Sequence, residues 1–257
     1  MVAIGAWLAR IFIWSMIFRI FRKVISWFLM ITIGLVFIFK YFPVPVTLFM
    51  LQRCVAQKAD DHPMVLKKEW VSLSNISDYA QISVVCAEDQ KFLSHNGFDF
   101  EAIKKAYAYN ELMEEKGKVK KKGASTISQQ TAKNVFLWHG RSWIRKGFET
   151  YFTFLIELIW SKQRILEVYL NVIEQGDGIY GVEASAQHFF KKSAKDITAS
   201  QAALMAVVLP NPRKFLINVP SAYVKKRQSW CLRQMKNNGM KLNFDLEKIS
   251  EEEQGNE

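Results

Sequence analysis

The longest apolar stretch of the chain lies near its amino terminus. Residues 24–39, VISWFLMITIGLVFIF, carry no charge, and two aromatic residues continue the run beyond Lys40. A helix needs about 20 residues, at a rise of ~1.5 Å each, to cross a hydrocarbon core of about 30 Å. The run reaches that length because the long Lys40 side chain can place its ammonium group in the interface. The pattern therefore predicts a transmembrane helix.

Two other segments would show the same pattern, a buried core helix and a cleaved signal peptide. The first acidic residue of the chain is Asp60, and a soluble core helix rarely lies in so long a stretch without acids. The apolar run also starts late, is long and lacks a small-x-small cleavage motif, unlike a signal peptide. Pro43 and Pro45 end the helix instead. We therefore expect a retained anchor over residues 24–45.

Basic residues indicate how this anchor is oriented. Four of them precede the span: Arg10, Arg19, Arg22 and Lys23. Because basic residues near a span favour the cytoplasmic side, residues 1–23 are predicted to form a cytoplasmic basic segment that includes an interfacial amphipathic helix. The rest of the chain should then lie outside, which in a bacterium is the periplasmic face of the inner membrane. We expect a single-pass protein.

Beyond the anchor the chain divides by its breaker residues and its composition. Residues 46–79 are predicted to be a linker and membrane-proximal segment, because aspartates and a proline at positions 60–63 interrupt it. Residues 80–240 are predicted to form one domain. Residues 241–257 are expected to be a frayed acidic tail.

Apolar positions in the predicted domain recur mostly with the period of a helix, so the fold class is mainly α. Thr198 and Gln201 are spaced as a capping box, which predicts the start of the last helix. The predicted helices cover residues 100–115, 125–137, 143–160, 163–171, 182–190 and 200–208.

Charge and composition narrow the functional classes. The chain has 35 Lys and Arg against 24 Asp and Glu, a net charge of +11, and half of its residues are hydrophobic, which excludes a disordered protein. Residues 1–59 hold seven bases and no acid. The excess charge thus lies beside apolar sequence, which favours an anionic membrane surface over a nucleic acid as partner. Three cysteines and four histidines lack metal-ligand spacing, so we expect no metal site.

The stretch EDQKFLSHNGFD at residues 88–99 offers a first candidate for chemistry. Glu88 and Asp89 follow the apolar run ISVVCA. A carboxylate at the end of a buried run can lie in a dry cleft, where desolvation raises its pKa toward values useful for a general base or acid. A surface turn would show the same acid pair, and both interpretations stay open.

The stretch KGASTISQQTAKN at residues 122–134 offers polar groups on a helix. Thr126, Gln130 and Lys133 recur at i, i+4 and i+7, so they share one face, with Ser125 and Gln129 beside it. Hydroxyl groups, amides and one cation would suit a sugar-phosphate ligand. A solvated helix face is the other interpretation.

The segment 143–160 is apolar nearly all round, so we expect this helix to be mostly buried. Its polar residues at steps of four form a narrow stripe: Arg145, Glu149, Thr153 and Glu157. Such a stripe would either line a cleft or pair internally, and Arg145 and Lys146 both lie within one turn of Glu149. A simple i,i+4 ion pair remains the alternative.

Taken together, these stretches supply two carboxylates, several cations and polar donors beside a membrane anchor. Two carboxylates suggest chemistry at a glycosidic bond. The cations suggest a phosphate leaving group. A sugar attached to a membrane lipid through a diphosphate would satisfy both.

Five motifs in this order resemble the peptidoglycan glycosyltransferase family, family 51. After the two stretches at 88–99 and 122–134 come RKGFE at 145–149, RILEVYLNVIEQGDGIYGVEASAQHFF at 164–190 and SQAALMAVVLPNP from residue 200. The similarity extends over residues 80–234. No SxxK motif of a transpeptidase is present, so the chain resembles the monofunctional biosynthetic form.

This resemblance implies a lysozyme-like helical fold with a small membrane-facing subdomain near residues 98–122. It also implies the reaction: lipid II and a growing lipid-linked glycan are joined by a β-1,4 bond with inversion, and undecaprenyl diphosphate is released. A divalent cation, Mg²⁺ or Mn²⁺, is typical of the family, with no dedicated protein site evident. The membrane is an implied partner, and division or elongation proteins are candidate partners.

The resemblance also implies residue roles. Glu88 matches the catalytic base and Glu149 the second glutamate, near the donor's diphosphate. The matching phosphate-contacting cations are Lys133, Arg141 and Arg145. The matching polar groups of the sugar-binding cleft are Ser125, Thr126, Gln129 and Gln130. Gln201 departs from the family's usual glutamate, and we expect a lost salt bridge rather than lost activity.

Two rival functions remain at this stage. A lytic muramidase on the same fold would use water in place of the acceptor hydroxyl and would need no phosphate-binding cations. A membrane scaffold of the wall-synthesis machinery would need no catalytic glutamates. The cations near Glu149 argue against the first rival, and the presence of both glutamates argues against the second.

Overall fold

The computed structural model describes residues 2–118, 122–140 and 142–244, with side chains from residue 14 onward. Contacts divide the chain into two units, Met1–Phe42 and Pro43–Glu257. The predicted acidic tail lies largely outside the described residues. So does the middle of the lysine-rich segment at 116–122.

The first unit is a single helix, α1 (Val2–Tyr41). Its portion Trp14–Tyr41 has 28 residues and a mean hydropathy of 2.0 over its most apolar window, and it is the one described helix long and apolar enough to cross a membrane. The helix runs through Arg22 and Lys23 without a break. The predicted boundary at residue 23 is therefore no boundary of secondary structure.

The second unit is mainly helical, as predicted. Its helices are α2 (Leu48–Ala59), α3 (Asp78–Glu88), α4 (Phe100–Glu115), α5 (Ile127–Phe136), α6 (Trp143–Ile159), α7 (Lys162–Val172), α8 (Val182–Phe190), α9 (Ala199–Val208) and α10 (Ala222–Asn237), with a 3-10 turn at Leu73–Asn75. The strands are β1 (Lys67–Lys68), β2 (Glu174–Gly176) and β3 (Ile179–Tyr180). The six predicted helices agree with α4 to α9 within two residues.

Two helix clusters form the core. In the first, α9 packs against α3 and α10; in the second, α5 packs against α6 and α7. Helix α9 is apolar on all sides, and residues 202–208 are all buried. Each large side chain buried there contributes roughly 1.5–3 kcal/mol. The predicted capping box is confirmed, because Thr198 N donates to Gln201 Oε1 at 2.9 Å and Gln201 N donates to Thr198 Oγ1.

A small sheet in the order β1-β3-β2 packs against α8. β1 pairs parallel with β3, and β2 pairs antiparallel with it. The turn between β2 and β3 requires Gly178, whose φ is +72° and whose added Cβ would lie 2.2 Å from the carbonyl oxygen of Val65. This close approach brings the chain after α2 onto the sheet, where Lys67 N donates to Gly178 O at 2.8 Å.

The prediction of a linker over residues 46–79 is wrong for much of its length. Thr47 accepts a hydrogen bond from Met50 N and starts α2, which ends at Ala59. The aspartates and the proline at positions 60–63 follow this helix instead of interrupting it. Met50 and Gln57 are buried, so α2 is part of the folded unit.

Candidate active site

Glu88 lies at the junction of the two helix clusters. It is the last residue of α3, whose residues 80–86 are buried and fix the helix in the first cluster. Gln130 on α5, in the second cluster, donates from Nε2 to Glu88 Oε2 at 2.9 Å. Burial raises the pKa of Glu88, while the Gln130 hydrogen bond and the charges of Arg227 and Lys133 oppose that rise. A half-buried carboxylate with a raised pKa suits a general base.

The neighbouring Asp89 has a different task, which its place in the sequence does not reveal. Its buried carboxylate accepts from Ile127 N, the first residue of α5, at 2.9 Å, and from His95 Nε2 at 3.0 Å. Gly97 N donates to His95 Nδ1 at 3.1 Å, so Nε2 must carry the proton. Asp89 therefore fixes the amino end of α5 beside Glu88, where the helix dipole favours a negative charge. The only sign of this network in the sequence is the presence of Asp89 and His95 in the motif EDQKFLSHNGFD.

Tyr169 sets the orientation of the Gln130 amide. Its hydroxyl, fully buried on α7, donates to Gln130 Oε1 at 3.3 Å. Burial keeps the pKa of Tyr169 well above its usual value, so the hydroxyl retains its proton. The amide NH₂ must then face Glu88, because an ionised carboxylate can only accept hydrogen bonds.

Two of the predicted cleft residues form the cap of α5. Thr126 Oγ1 accepts from Gln129 N, and Gln129 Oε1 accepts from Thr126 N at 3.1 Å. Thr126 Oγ1 also donates to Gly97 O at 2.6 Å. Ser125 is exposed just before the cap. The capping box explains why the helix starts at Ile127, two residues later than predicted, and it leaves Thr126 and Gln129 buried.

Helix α6 turns its polar stripe inward. Glu149 is 3% exposed and accepts from Arg145 at 2.9 Å and from Lys146 at 2.5 Å. Farther along, Glu157 pairs with Lys162 at 2.8 Å. Every carboxylate on the stripe thus has a cationic partner, which makes its burial tolerable. Of the interpretations that the sequence left open, the structure shows ion pairing within the stripe, including the i,i+4 pair of Arg145 and Glu149.

The expectation that α6 is mostly buried is wrong. Trp143 is 92% exposed and Leu158 70%, and Ile144 and Phe154 are exposed as well. Because the paired polar stripe occupies the interior, much of the apolar surface of the helix is left outside.

A cavity of about 400 Å³ lies between α5, α6 and the segments around β2 and the end of α9. Charged and polar residues on its wall include Gln130, Lys133, Arg145, Glu174 and Arg213. Burial lowers the pKa of Lys133, and its ammonium interacts with both Glu149 and Glu88. Lys133 therefore links the two glutamates electrostatically.

Of the predicted site residues, the structure brings Gln130, Lys133 and Arg145 together on this cavity, with Glu88 and Glu149 as their hydrogen-bond or ion-pair partners. Arg141 lies outside the described residues. Within the described ranges no group of three or more His, Cys, Asp or Glu residues is placed to hold a metal ion. The donor set offers no cage for a divalent cation.

Comparison with known proteins places this arrangement in a family. The Transglycosylase family model matches residues 57–236. A biosynthetic peptidoglycan transglycosylase of Mannheimia succiniciproducens is 49% identical over 231 residues, which cover 88% of this chain and 92% of the relative. The proteins with the same name in Haemophilus influenzae and Yersinia pseudotuberculosis are 50% identical over 219 residues and 53% identical over 201 residues. They cover 85% and 78% of this chain, and 87% and 82% of the relatives.

The matched region extends from the end of α2 to α10 and includes both glutamates, the Asp89 network and, apart from Phe49, the residues that line the cationic cavity. With half of the aligned positions identical over most of the chain, the chain belongs to the transglycosylase family.

Proposed function

We propose that this protein is a peptidoglycan glycosyltransferase that polymerises lipid II into β-1,4-linked glycan strands. The observation that supports this most directly is the pairing of two unlike glutamates around Lys133. Glu88 has a raised pKa and a neutral hydrogen-bond partner, whereas Glu149 is held by two cations. The first environment suits a base, and the second suits binding of an anionic leaving group.

In the proposed reaction Glu88 takes the proton from the 4-hydroxyl of the acceptor sugar. The acceptor oxygen forms a bond to the anomeric carbon of the donor, while the bond from that carbon to the diphosphate oxygen breaks. Attack opposite the leaving group inverts the configuration. Undecaprenyl diphosphate leaves with the bonding electrons, and the proton remains on Glu88 until solvent removes it.

The cations Lys133 and Arg145 would stabilise the charge that develops on the leaving diphosphate. Lys133 suits this task because no carboxylate lies within ion-pair distance of it among the described residues, so its charge is available to a ligand. Arg141 is proposed as a third cation on the basis of its motif. Ser125 and Gln130 are proposed to contact the sugars, and Thr126 and Gln129, which are buried in the capping box, to position them through the start of α5. A divalent cation, Mg²⁺ or Mn²⁺, is proposed as a diffusible helper without a dedicated site among the described residues.

The test is incubation of the full-length protein with lipid II in detergent, followed by sizing of the products. Polymer with release of undecaprenyl diphosphate supports the proposal. Cleavage of mature wall into fragments, without polymer, would identify a lytic muramidase. A protein that produces neither, although it is folded, would be a scaffold.

We also propose that the membrane-anchored chain has its amino terminus in the cytoplasm and its folded unit in the periplasm. The four basic residues that precede the uncharged run 24–39 support this orientation. The exposed apolar side chains of α6, such as Trp143, suit contact with lipid. A reporter fused after Glu257 should be active only when it is periplasmic. A full-length fusion that is active only as a cytoplasmic reporter would overturn the orientation and the site of the reaction.

A further inference from the structure

Helix α2, which lies outside the five motifs, forms part of the wall of the cationic cavity. Phe49 lines that cavity together with Lys133, His139 and Arg145. The ring of Phe49 lies 5.9 Å from Lys133 Nζ, and it stacks on the imidazole of His139 with 3.6 Å between centroids and 25° between planes. One aromatic side chain of α2 thus supports two polar residues of the cavity.

A second contact ties α2 to the loop that follows α5. Gln52 lies three residues after Phe49, so both side chains point from the same face of the helix. Gln52 Oε1 accepts from His139 N at 2.6 Å. The backbone and the ring of His139 are therefore both held by α2.

Helix α2 is itself fixed to the rest of the folded unit. Gln57 is buried, donates to Asp177 Oδ1 at 2.9 Å and accepts from Val65 N at 2.9 Å. Arg53 pairs with the same aspartate at 2.8 Å. Asp177 follows β2, whose Glu174 lines the same cavity. This aspartate therefore ties α2 to the segment that carries Glu174.

The side chain of His139 is placed to meet a ligand. Its Nε2 is buried and has no hydrogen-bond partner within the described part of the chain, although the residue lines the cavity. Burial and the neighbouring charges of Arg213 and Lys133 lower the pKa of His139. A buried polar atom without a partner is costly, and a bound anion or hydroxyl would supply the missing hydrogen bond.

We propose that Phe49 and Gln52 of α2 are positioning residues of the substrate site, which hold His139 and Lys133 in the geometry that receives the donor's diphosphate. This inference rests on the proposed function, since it takes the cavity to be the diphosphate site. The proposed role of the two residues is indirect. They act by restricting the loop and the ammonium group that would contact the diphosphate.

The test compares substrate affinity with turnover in the full-length protein in detergent. Gln52→Ala and Phe49→Leu should each raise the KM for lipid II about 3- to 10-fold, the effect of about one lost hydrogen bond or ring contact. The kcat should fall by a smaller factor than the KM rises, because Glu88 is not affected and Lys133 keeps its charge beside the leaving diphosphate. Phe49→Tyr keeps the ring and Gln52→Glu keeps the acceptor, so both should restore the KM. Val55→Ala, on the exposed side of α2, is the matched control.

Binding of inorganic diphosphate, followed by calorimetry, separates this inference from the proposed function. Weaker diphosphate binding by Gln52→Ala and Phe49→Leu, but not by Val55→Ala, supports the positioning role even in a protein that does not polymerise lipid II. Failure of the parent protein to polymerise would contradict the proposed function alone. An unchanged KM together with an unchanged affinity for diphosphate would overturn the positioning role. A loss of affinity that only accompanies a lower melting temperature would also overturn it. So would a parent protein that binds no diphosphate.

Discussion

The two glutamates of the site occupy opposite electrostatic environments. Glu88 ends α3 beside a neutral amide, and burial raises its pKa. Glu149 lies within α6 and pairs with Arg145 and Lys146 along the same helix. Burial leaves the charged form of Glu88 poorly stabilised, so this carboxylate can take a proton, whereas Glu149 is held in ion pairs by two cations. Two identical side chains therefore differ in their chemical role because their neighbouring residues differ.

The two glutamates also differ in how far along the chain their stabilising partners lie. The partners of Glu149 stand one turn away in sequence, so the motif RKGFE nearly contains its own ion-pair network. The partner of Glu88 is 42 positions away on another helix. The environment of Glu149 is thus mainly local, and that of Glu88 depends on the packing of two clusters.

The largest expected effect is on turnover by Glu88→Gln. Glutamine keeps the shape but cannot accept the acceptor's proton, so the rate of lipid II polymerisation should fall by about 10²- to 10⁴-fold. A variant that keeps more than about a tenth of the rate would show that Glu88 is not the base.

The same variant should not lose stability. Because burial raises the pKa of Glu88 above its ordinary value of 4.5, the charged carboxylate costs free energy in the folded state. That cost appears as the pH rises through the folded pKa and is absent below about pH 4.5. Chemical denaturation at pH 7 should therefore give Glu88→Gln a free energy of unfolding equal to or above that of the parent protein. A clearly lower free energy of unfolding for Glu88→Gln would contradict the difference between the environments of Glu88 and Glu149.

Glu149→Gln should destabilise the fold. It leaves the guanidinium of Arg145, 13% exposed, without its buried counter-charge. Breaking a buried pair costs about 3–5 kcal/mol, and the lower end applies because the Lys146 side chain is 42% exposed and can reach water. Chemical denaturation of Glu149→Gln measures this loss in the free energy of unfolding. Glu114→Gln, at an exposed position of α4, is the control. Equal midpoints for the two variants would be the contrary result.

Removing one cation should weaken use of the donor. Lys133→Ala is expected to lower kcat/KM by about 10- to 150-fold, because a charge-assisted hydrogen bond contributes about 1.5–3 kcal/mol. Lys133→Arg should recover part of that loss, and Lys104→Ala, an exposed lysine on α4, should cause none. A fall in melting temperature with normal turnover of the folded fraction would show that Lys133 only supports neighbouring helices.

The smallest expected effect is a shift in pH dependence. The Gln130 hydrogen bond favours the charged form of Glu88, so Gln130→Leu should raise the pKa of Glu88 further. The base must be deprotonated to act, and activity on the acid side should therefore be lost at a higher pH than in the parent protein. Tyr169→Phe, which removes only the group that orients the amide, should shift the acid limb less. An acid limb that does not move in Gln130→Leu would mean that Gln130 does not tune Glu88.

Much of the site was predictable because its residues lie in compact motifs. The place of Glu88 after an apolar run made it a candidate, and only the family resemblance implied its role as a base. The i,i+4 spacing offered the ion pair of Glu149 as one of the open interpretations. The interior position of the α6 stripe was not predictable in full, because periodicity shows which residues share a face but not which face points inward. Asp89 was seen only as half of an acid pair, since its contact with Ile127 N joins residues 38 positions apart.

The sequence by itself determined the features that depend on neighbours along the chain: the apolar helix α1, the bounds of α4 to α9, the cap at Thr198 and the cations beside Glu149. Only the tertiary structure decided the features that depend on packing. These are the folded helix α2 in place of a linker, the Gln130–Glu88 contact and the stacking of Phe49 on His139, 90 positions apart. Helix periodicity and capping act within about one turn, whereas a cavity forms where distant elements meet. The burial of the site residues and the direction of their pKa shifts therefore follow only from the tertiary structure.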